Sequence, residues 1–282
     1  MPDDASPQKK PSLGRISYLN VLPIYHAMES GQVPHDYELV YGPPAVLNDM
    51  MAQGGLLAAS TSCIEYARRP TRYMLLPDLA IGSEGPVQSV LLLSRVPIVD
   101  LDGARILVSA ETHTSAALLR ILLKERYKFN VSWQTGSATE MVATGNPPTA
   151  FLAIGDEALR LRRHPEYPYC LDLGEAWIRW TGKPFIFGVW VIHKQGMKEW
   201  PHAENPATLL YRSLSWGLEN MDVILDIAER NYPNMTREEH REYFEGLSYA
   251  LGKPEQEGLL LFWEKLASAG ELKRVPPLSF LQ

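Results

Sequence analysis

Gly14-Arg15-Ile16-Ser17-Tyr18-Leu19-Asn20-Val21-Leu22-Pro23-Ile24-Tyr25 is a short apolar run that stops on a polar amide just before a proline. Ile16, Tyr18 and Leu19 read as a buried strand over residues 15–20. Pro23 opens an apolar segment over residues 22–30 that reads as a helix. A strand that delivers an Asn to its carboxyl end, with a helix after it, is how open α/β sheets place a ligand-facing group. Asn20 is therefore a candidate site residue. It also suits the cap of the following helix, and the residues alone leave both roles open.

The alternation continues outward from this stretch. Strand-like segments at 37–41, 57–59, 73–76 and 89–94 are interleaved with helix-like ones at 45–53 and 64–68. A second series has strands at 104–109, 131–133 and 150–154 and helices at 115–127, 137–143 and 157–163. It ends in the apolar run Phe185-Ile186-Phe187-Gly188-Val189-Trp190-Val191-Ile192-His193. Such βα alternation implies an α/β fold with a mostly parallel sheet covered by helices. From Asn205 the pattern is wholly helical, over 207–231, 236–251 and 255–269, and Thr236 with Glu239 has the spacing of a capping box. Three helices without strands cannot make a third α/β unit, so they are expected to pack back on the first lobe. The expectation is two lobes with a cleft between them: 1–95 with 195–282, and 96–194 inserted, the runs 89–94 and 185–191 being the crossover strands.

Bulk composition excludes several functions. The 282 residues are 45% hydrophobic and 21% charged, as in an ordinary globular chain. A net charge of -6 argues against nucleic-acid binding, which needs a basic face. Arg160, Arg162 and Arg163 read as one solvated helix face. Two cysteines, Cys63 and Cys170, are too few for a disulfide framework or a cysteine metal cluster. No run approaches the ~20 apolar residues of a membrane span, and residues 1–10 carry no apolar signal core. A cytoplasmic protein with a disordered N-terminus, no membrane contact, no metal and no cofactor is expected.

Two helix starts are rich in hydroxyls: Ser60-Thr61-Ser62, and Thr112-His113-Thr114-Ser115. Helix amino termini present unpaired N–H groups, so such clusters can hold an anion without a cationic side chain; plain N-capping is the alternative for each. Gly82-Ser83-Glu84-Gly85-Pro86-Val87-Gln88-Ser89 reads as a turn-rich loop in which Gly85 permits close backbone approach to a ligand. Asp156, where a strand gives way to a helix, could meet a ligand or cap the helix. His113 and His193 are the histidines placed to face a cleft. Dinucleotide, P-loop, zinc-protease and nucleophile-elbow motifs are absent.

Taken together, residues 14–23 (GRISYLNVLP), 42–48 (GPPAVLN), 62–67 (SCIEYA), 76–94 (LPDLAIGSEGPVQSVLLLS), 114–123 (TSAALLRILL) and 180–191 (WTGKPFIFGVWV) resemble the chorismate dehydratase family of the futalosine route to menaquinone. The resemblance implies a two-lobed type II periplasmic-binding-protein-like fold, with Asn20 and Ser89 as catalytic residues lining the cleft. Substrate contacts are expected from Ser17, Ser62, Gly85, Thr114, Ser115 and Asp156. Leu57 stands where that family usually has Asp, and Cys63 replaces a common second Ser, leaving one hydroxyl fewer at a helix start.

The family's reaction removes water from chorismate, a dicarboxylate, to give an aromatic enolpyruvyl benzoate. Two carboxylates match two helix amino termini. Asn20 and Ser89 are too weakly basic to take a carbon-bound proton, so the substrate's own enolpyruvyl carboxylate is the expected base, with Asp156 or His193 as the conventional alternative. A dihydroxynaphthoate synthase-like enzyme would carry a Cys-Pro-Asn-Asp type start instead of Tyr18-Leu19-Asn20-Val21. A non-catalytic organic-anion-binding protein would normally be exported.

Overall fold

The first strand, β1 (Ser12–Ile16), is anchored by Leu13 and Ile16 in the core. At its centre an added side chain on Gly14 would lie 2.8 Å from the Ala59 Cβ, so glycine sets how closely the neighbouring strand approaches. The strand ends earlier than the sequence predicts. Leu19–Val21 form a single 3-10 turn that leads into α1 (Leu22–Glu29), where Pro23 occupies the first helical turn. A computed structural model describes residues 10–109, 112–143, 145 and 147–282. Apart from Lys10, the expected N-terminal disorder lies outside these residues.

The chain continues through β2 (Glu38–Gly42), α2 (Pro44–Gln53), β3 (Ala58–Ser62), α3 (Cys63–Arg68) and β4 (Tyr73–Ser83). Next come β5 (Val90–Ser94), β6 (Arg105–Val108), α4 (His113–Ile121) with a π-helical extension Leu122–Tyr127, β7 (Ser132–Thr135), α5 (Ala138–Ala143), β8 (Ala150–Ile154) and α6 (Gly155–Leu161). Then β9 (Tyr169–Asp172), α7 (Leu173–Thr181), β10 (Phe185–His193) and the short α8 (Gly196–Glu199) precede the helices α9 (Pro206–Glu219), α10 (Met221–Asn231), α11 (Arg237–Glu245) and α12 (Lys253–Ser268).

Two five-stranded sheets result, ordered β2-β1-β3-β10-β4 and β7-β6-β8-β5-β9. The early strands of each sheet are parallel, as βα alternation requires. One strand in each runs against its neighbours: β10 pairs antiparallel with β3 and β4, placing Val189 opposite Thr61, and β5 pairs antiparallel with β8 and β9. These are the two apolar runs, and their placement corrects the expected lobe boundaries. The run 90–94 belongs to the second sheet, not to a lobe of 1–95, and 185–193 belongs to the first, not to 96–194. The physical reason is that the chain changes lobe in the turns before these strands. Each run is the first strand after a crossing and lies antiparallel to its new neighbours.

The C-terminal helices pack on the first sheet and its helices. α9 lies against α1 so closely that a side chain on Gly217 would sit 2.1 Å from the Pro23 carbonyl, and one on Gly258 of α12 would sit equally close to the Pro184 carbonyl. One large hydrophobic core runs through both sheets; a smaller cluster around Leu93, Phe151 and Tyr167 fills the other face of the second. The single helix expected over 207–231 is broken at Asn220, whose backbone leaves helical geometry and whose amide donates to the Trp216 carbonyl at 2.8 Å. The capping box at Thr236 and Glu239 is formed.

Candidate functional site

A cleft between the two sheets is walled on one side by the 3-10 turn and the end of β3, and on the other by Ser89, the start of α4 and Gly155. The space between its walls is about 790 Å³ with open solvent included, an upper bound on the room for a ligand. Among the described residues the wall contains no Asp, Glu, Lys or Arg. Ile16, Ile81 and Phe187 supply apolar surface, and the polar surface is almost entirely hydroxyl and amide.

Three of the hydroxyls and the amide oxygen lack partners among the described residues. Asn20 Oδ1, Ser60 Oγ, Thr61 Oγ1 and Thr112 Oγ1 are all buried, line the cleft and make no hydrogen bond among the described residues. An unsatisfied buried polar atom costs ~1–3 kcal/mol, so four around one cleft mark a surface built for a polar ligand. Asn20 does not cap α1. The residue at that helix's N-cap is Val21, and no side chain caps it.

The two hydroxyl clusters differ. Ser62 lines the cleft but also caps α3, its Oγ accepting from the Glu65 N–H at 3.3 Å. At α4 the N-cap is Thr112, whose hydroxyl makes no capping bond, so the first N–H groups of this nine-residue helix are left for whatever occupies the cleft. Thr114 and Ser115 line the same end, and Thr114 Oγ1 also meets Cys63 Sγ across the lobes at 3.6 Å. Burial pushes the Cys63 thiol up to about 12, so it stays protonated. His113 lies on the wall and is exposed.

Three expected contacts fall elsewhere. Ser17 is exposed and outside the cleft wall, because the chain has already left the strand and turned. Gly85 does not line the cleft; its carbonyl faces α7, where a side chain on Gly174 would come within 2.8 Å, so its turn accommodates packing. Asp156 neither lines the cleft nor caps its own helix. It reaches across the lobes, accepting from the Leu19 N–H at 3.0 Å and the Tyr232 hydroxyl at 2.7 Å. Burial raises its pKa, opposed by those two donors. His193 also lies outside the wall, stacked edge-on against Tyr73.

Ser89 is held from three directions. Its Oγ accepts from the Tyr243 hydroxyl at 3.1 Å and donates to the Val87 carbonyl at 3.3 Å, and its own carbonyl accepts from the Gly155 N–H at 2.7 Å. The preceding residue, Gln88, has a left-handed backbone with φ +60, a conformation non-glycine residues adopt only when constrained. Asp172 supplies the constraint, accepting from the N–H groups of Val87 at 3.1 Å and Gln88 at 2.7 Å while capping α7.

The family model described as menaquinone biosynthesis matches residues 11–268. The chain belongs to this family. Among its relatives is the chorismate dehydratase of Thermus thermophilus, 26% identical over 272 residues that cover 90% of this chain and 94% of that protein. In fold, this member of the family is similar to a protein from Archaeoglobus fulgidus, with 18% identity, TM-score 0.74 and coverage of 95% of this chain and all of that one. It also matches a Candida albicans protein described as having the generic periplasmic binding protein fold, at 12% identity and TM-score 0.68 over 97% of this chain and 98% of that one. The periplasmic aliphatic sulphonate binding protein of Escherichia coli matches at 13% identity and TM-score 0.65, over 96% and 92% respectively. The two-lobed, periplasmic-binding-protein-like α/β fold expected from the sequence is therefore the fold observed.

One set of residues near the site escapes the sequence reading. Tyr232, Tyr243 and Tyr249 come from the C-terminal segment, and each hydroxyl bonds a site group: Asp156, Ser89 and the Asn20 carbonyl, the last at 2.9 Å. No motif marks them. Their positions follow from how the helices fold back behind the first lobe.

Proposed function

We propose that this chain is a chorismate dehydratase, removing water from chorismate to give an enolpyruvyl benzoate within menaquinone biosynthesis. The observation that carries the reading is the group of buried polar atoms without partners among the described residues, around a cleft whose described wall contains no Asp, Glu, Lys or Arg, in a member of this family with a chorismate dehydratase among its relatives. A dicarboxylate satisfies them. One carboxylate sits at the start of α4 with Thr112, Thr114 and Ser115; the other meets Ser60, Thr61 and Ser62 at the end of β3. Both free thiols suit the reducing cytoplasm, the location proposed for it.

Elimination breaks a ring C–H and a ring C–O bond, the C–H electron pair becomes the new ring double bond, and proton and hydroxide leave as water. Aromatisation drives the step, so the protein's task is positioning, worth up to ~7–11 kcal/mol in the best cases. The substrate's enolpyruvyl carboxylate takes the proton, and Asn20 and Ser89 orient it and the departing hydroxyl. Asp156 is disfavoured as the base because both its oxygens are already engaged, and His193 because it lies outside the wall.

Incubating the purified protein with chorismate and following the products by mass tests this. Loss of one water, undiminished in His113→Gln, is the expected result. Binding without turnover would make the chain an organic-anion-binding protein, and a rate abolished by His113→Gln would move the base to that side chain.

A further inference from the structure

We infer that Tyr243 is a positioning residue that fixes the direction of the Ser89 proton, so that Ser89 meets the substrate as a hydrogen-bond donor. The inference rests on the reading of Ser89 proposed above. Tyr243 is 1% exposed, and among the described residues its hydroxyl donates to Ser89 Oγ at 3.1 Å. A buried phenol that did not donate there would leave its proton unsatisfied, a cost of ~1–3 kcal/mol. Burial also raises its pKa far above the ordinary phenol value, so it remains a donor at any working pH.

A serine hydroxyl has one proton and two acceptor lone pairs. With one lone pair taken by Tyr243, the Ser89 proton can go to the Val87 carbonyl or into the cleft. The Val87 contact, at 3.3 Å, is long for a hydroxyl donor, whose usual distance is ~2.7–2.8 Å. A ligand oxygen in the cleft is the better acceptor. The phenol behind polarises the serine O–H, which strengthens its bond to a developing negative charge on the departing oxygen. The neighbouring C-terminal contact has the same sense: the Tyr249 hydroxyl donates to the Asn20 carbonyl and holds that residue's backbone. The C-terminal helices are thus part of the site, although Tyr243 itself does not line the cleft.

The test is a double-mutant cycle on chorismate dehydration with Ser89→Ala, Tyr243→Phe and the two combined, together with a thermal melt of each. Tyr243→Phe keeps the ring and is expected to lower kcat about 3–10-fold with KM within about twofold, the scale of one modest hydrogen bond; in the Ser89→Ala background it should lower kcat no further. A Tyr243→Phe loss that multiplies onto that of Ser89→Ala overturns the inference, as does a Tyr243→Phe enzyme with wild-type kcat while Ser89→Ala is impaired. Full activity of Ser89→Ala overturns the role of Ser89 itself and this inference with it. A structure of the wild-type protein with the dehydrated product gives a check independent of any variant. Ser89 Oγ should lie within hydrogen-bond distance of both a ligand oxygen and the Tyr243 hydroxyl, and loss of the Tyr243 contact on binding would overturn the inference.

Discussion

Asp156, at the start of α6 in the second lobe, accepts a hydrogen bond from the backbone N–H of Leu19 in the first at 3.0 Å. The bond satisfies the opening N–H of the 3-10 turn that carries Asn20, so a residue of one lobe sets the backbone of the other's principal site residue. This makes Asp156 a brace. Asp156→Asn retains an oxygen that can accept from Leu19, and the Tyr232 hydroxyl can turn to accept from the new amide. We expect it to lower kcat by less than ~10-fold, against the ~10²–10⁴-fold typical of losing a general base. His193→Gln should change the rate even less, and a chorismate analogue amidated at its enolpyruvyl carboxylate should bind without dehydrating. Steady-state rates and product mass check all three.

The same carboxyl gives a pH signature. Burial raises its pKa in the folded state, so between the unfolded value of ~4 and the raised folded value the native protein binds the proton more tightly than the unfolded chain. Its contribution to stability is greatest at low pH and is lost as pH rises through the folded pKa. Urea midpoints measured across this window should depend less steeply on pH in Asp156→Asn than in the parent. An unchanged slope would show that Asp156 titrates normally.

Asn20→Ala should separate function from folding. The Oδ1 atom has no hydrogen-bond partner among the described residues, so its removal costs the fold little, and the melting temperature should hold within about 1 °C, below the ~2–4 °C that ~1 kcal/mol moves in a domain of roughly 150–250 residues. Turnover should fall by ~10²-fold or more, the scale of losing an aligned donor or acceptor at a developing charge. A melt and a rate assay on one preparation decide it.

Asp172→Ala should act on both. It removes the cap of α7 and the acceptor of the Val87 and Gln88 N–H groups, so the left-handed backbone at Gln88 loses its main-chain restraint while its side chain still bonds Arg162 and the Glu242 carbonyl. We expect a loss of about 2–4 kcal/mol in denaturant unfolding and a lower kcat, because Ser89 follows directly.

Gly155→Ala tests the close approach behind Tyr18. The backbone at Gly155 has φ +55, and an added Cβ would lie 3.1 Å from the Tyr18 ring, which lines the cleft. A cost of ~1–2 kcal/mol for the left-handed backbone, with a raised KM as the ring is displaced, is the expected result in melts and kinetics.

The sequence carried the fold well where period and length spoke together. The βα series, Asn20 and Ser89 on the cleft, and the capping box at Thr236 are all found in the structure. It failed where tertiary packing decides. β9 is a short strand with Tyr169 and Cys170 exposed, so it lacks an apolar run. The chain direction of β5 and β10 depends on which sheet receives them, which no local pattern encodes. Asp156 was legible as polar and well placed, yet its partners, Leu19 and Tyr232, are 137 and 76 residues away. The phenols of Tyr232, Tyr243 and Tyr249 look like ordinary aromatic positions, Tyr243 within α11 and the other two in the connections after α10 and α11.

The antiparallel seat of β10 between β3 and β4 has a consequence for synthesis. The first sheet has a gap in its middle until residue 193 has left the ribosome, while every strand of the second sheet is available by Asp172. The inserted lobe can therefore complete its sheet first, while β4 and the open edge of β3 must wait for a partner made about a hundred residues after β4. Pairings of such long sequence separation fold slowly and leave strand edges open in the interim. A nascent chain stalled before β10 should be protease-sensitive in its first 83 residues, and chaperone demand should peak at that length.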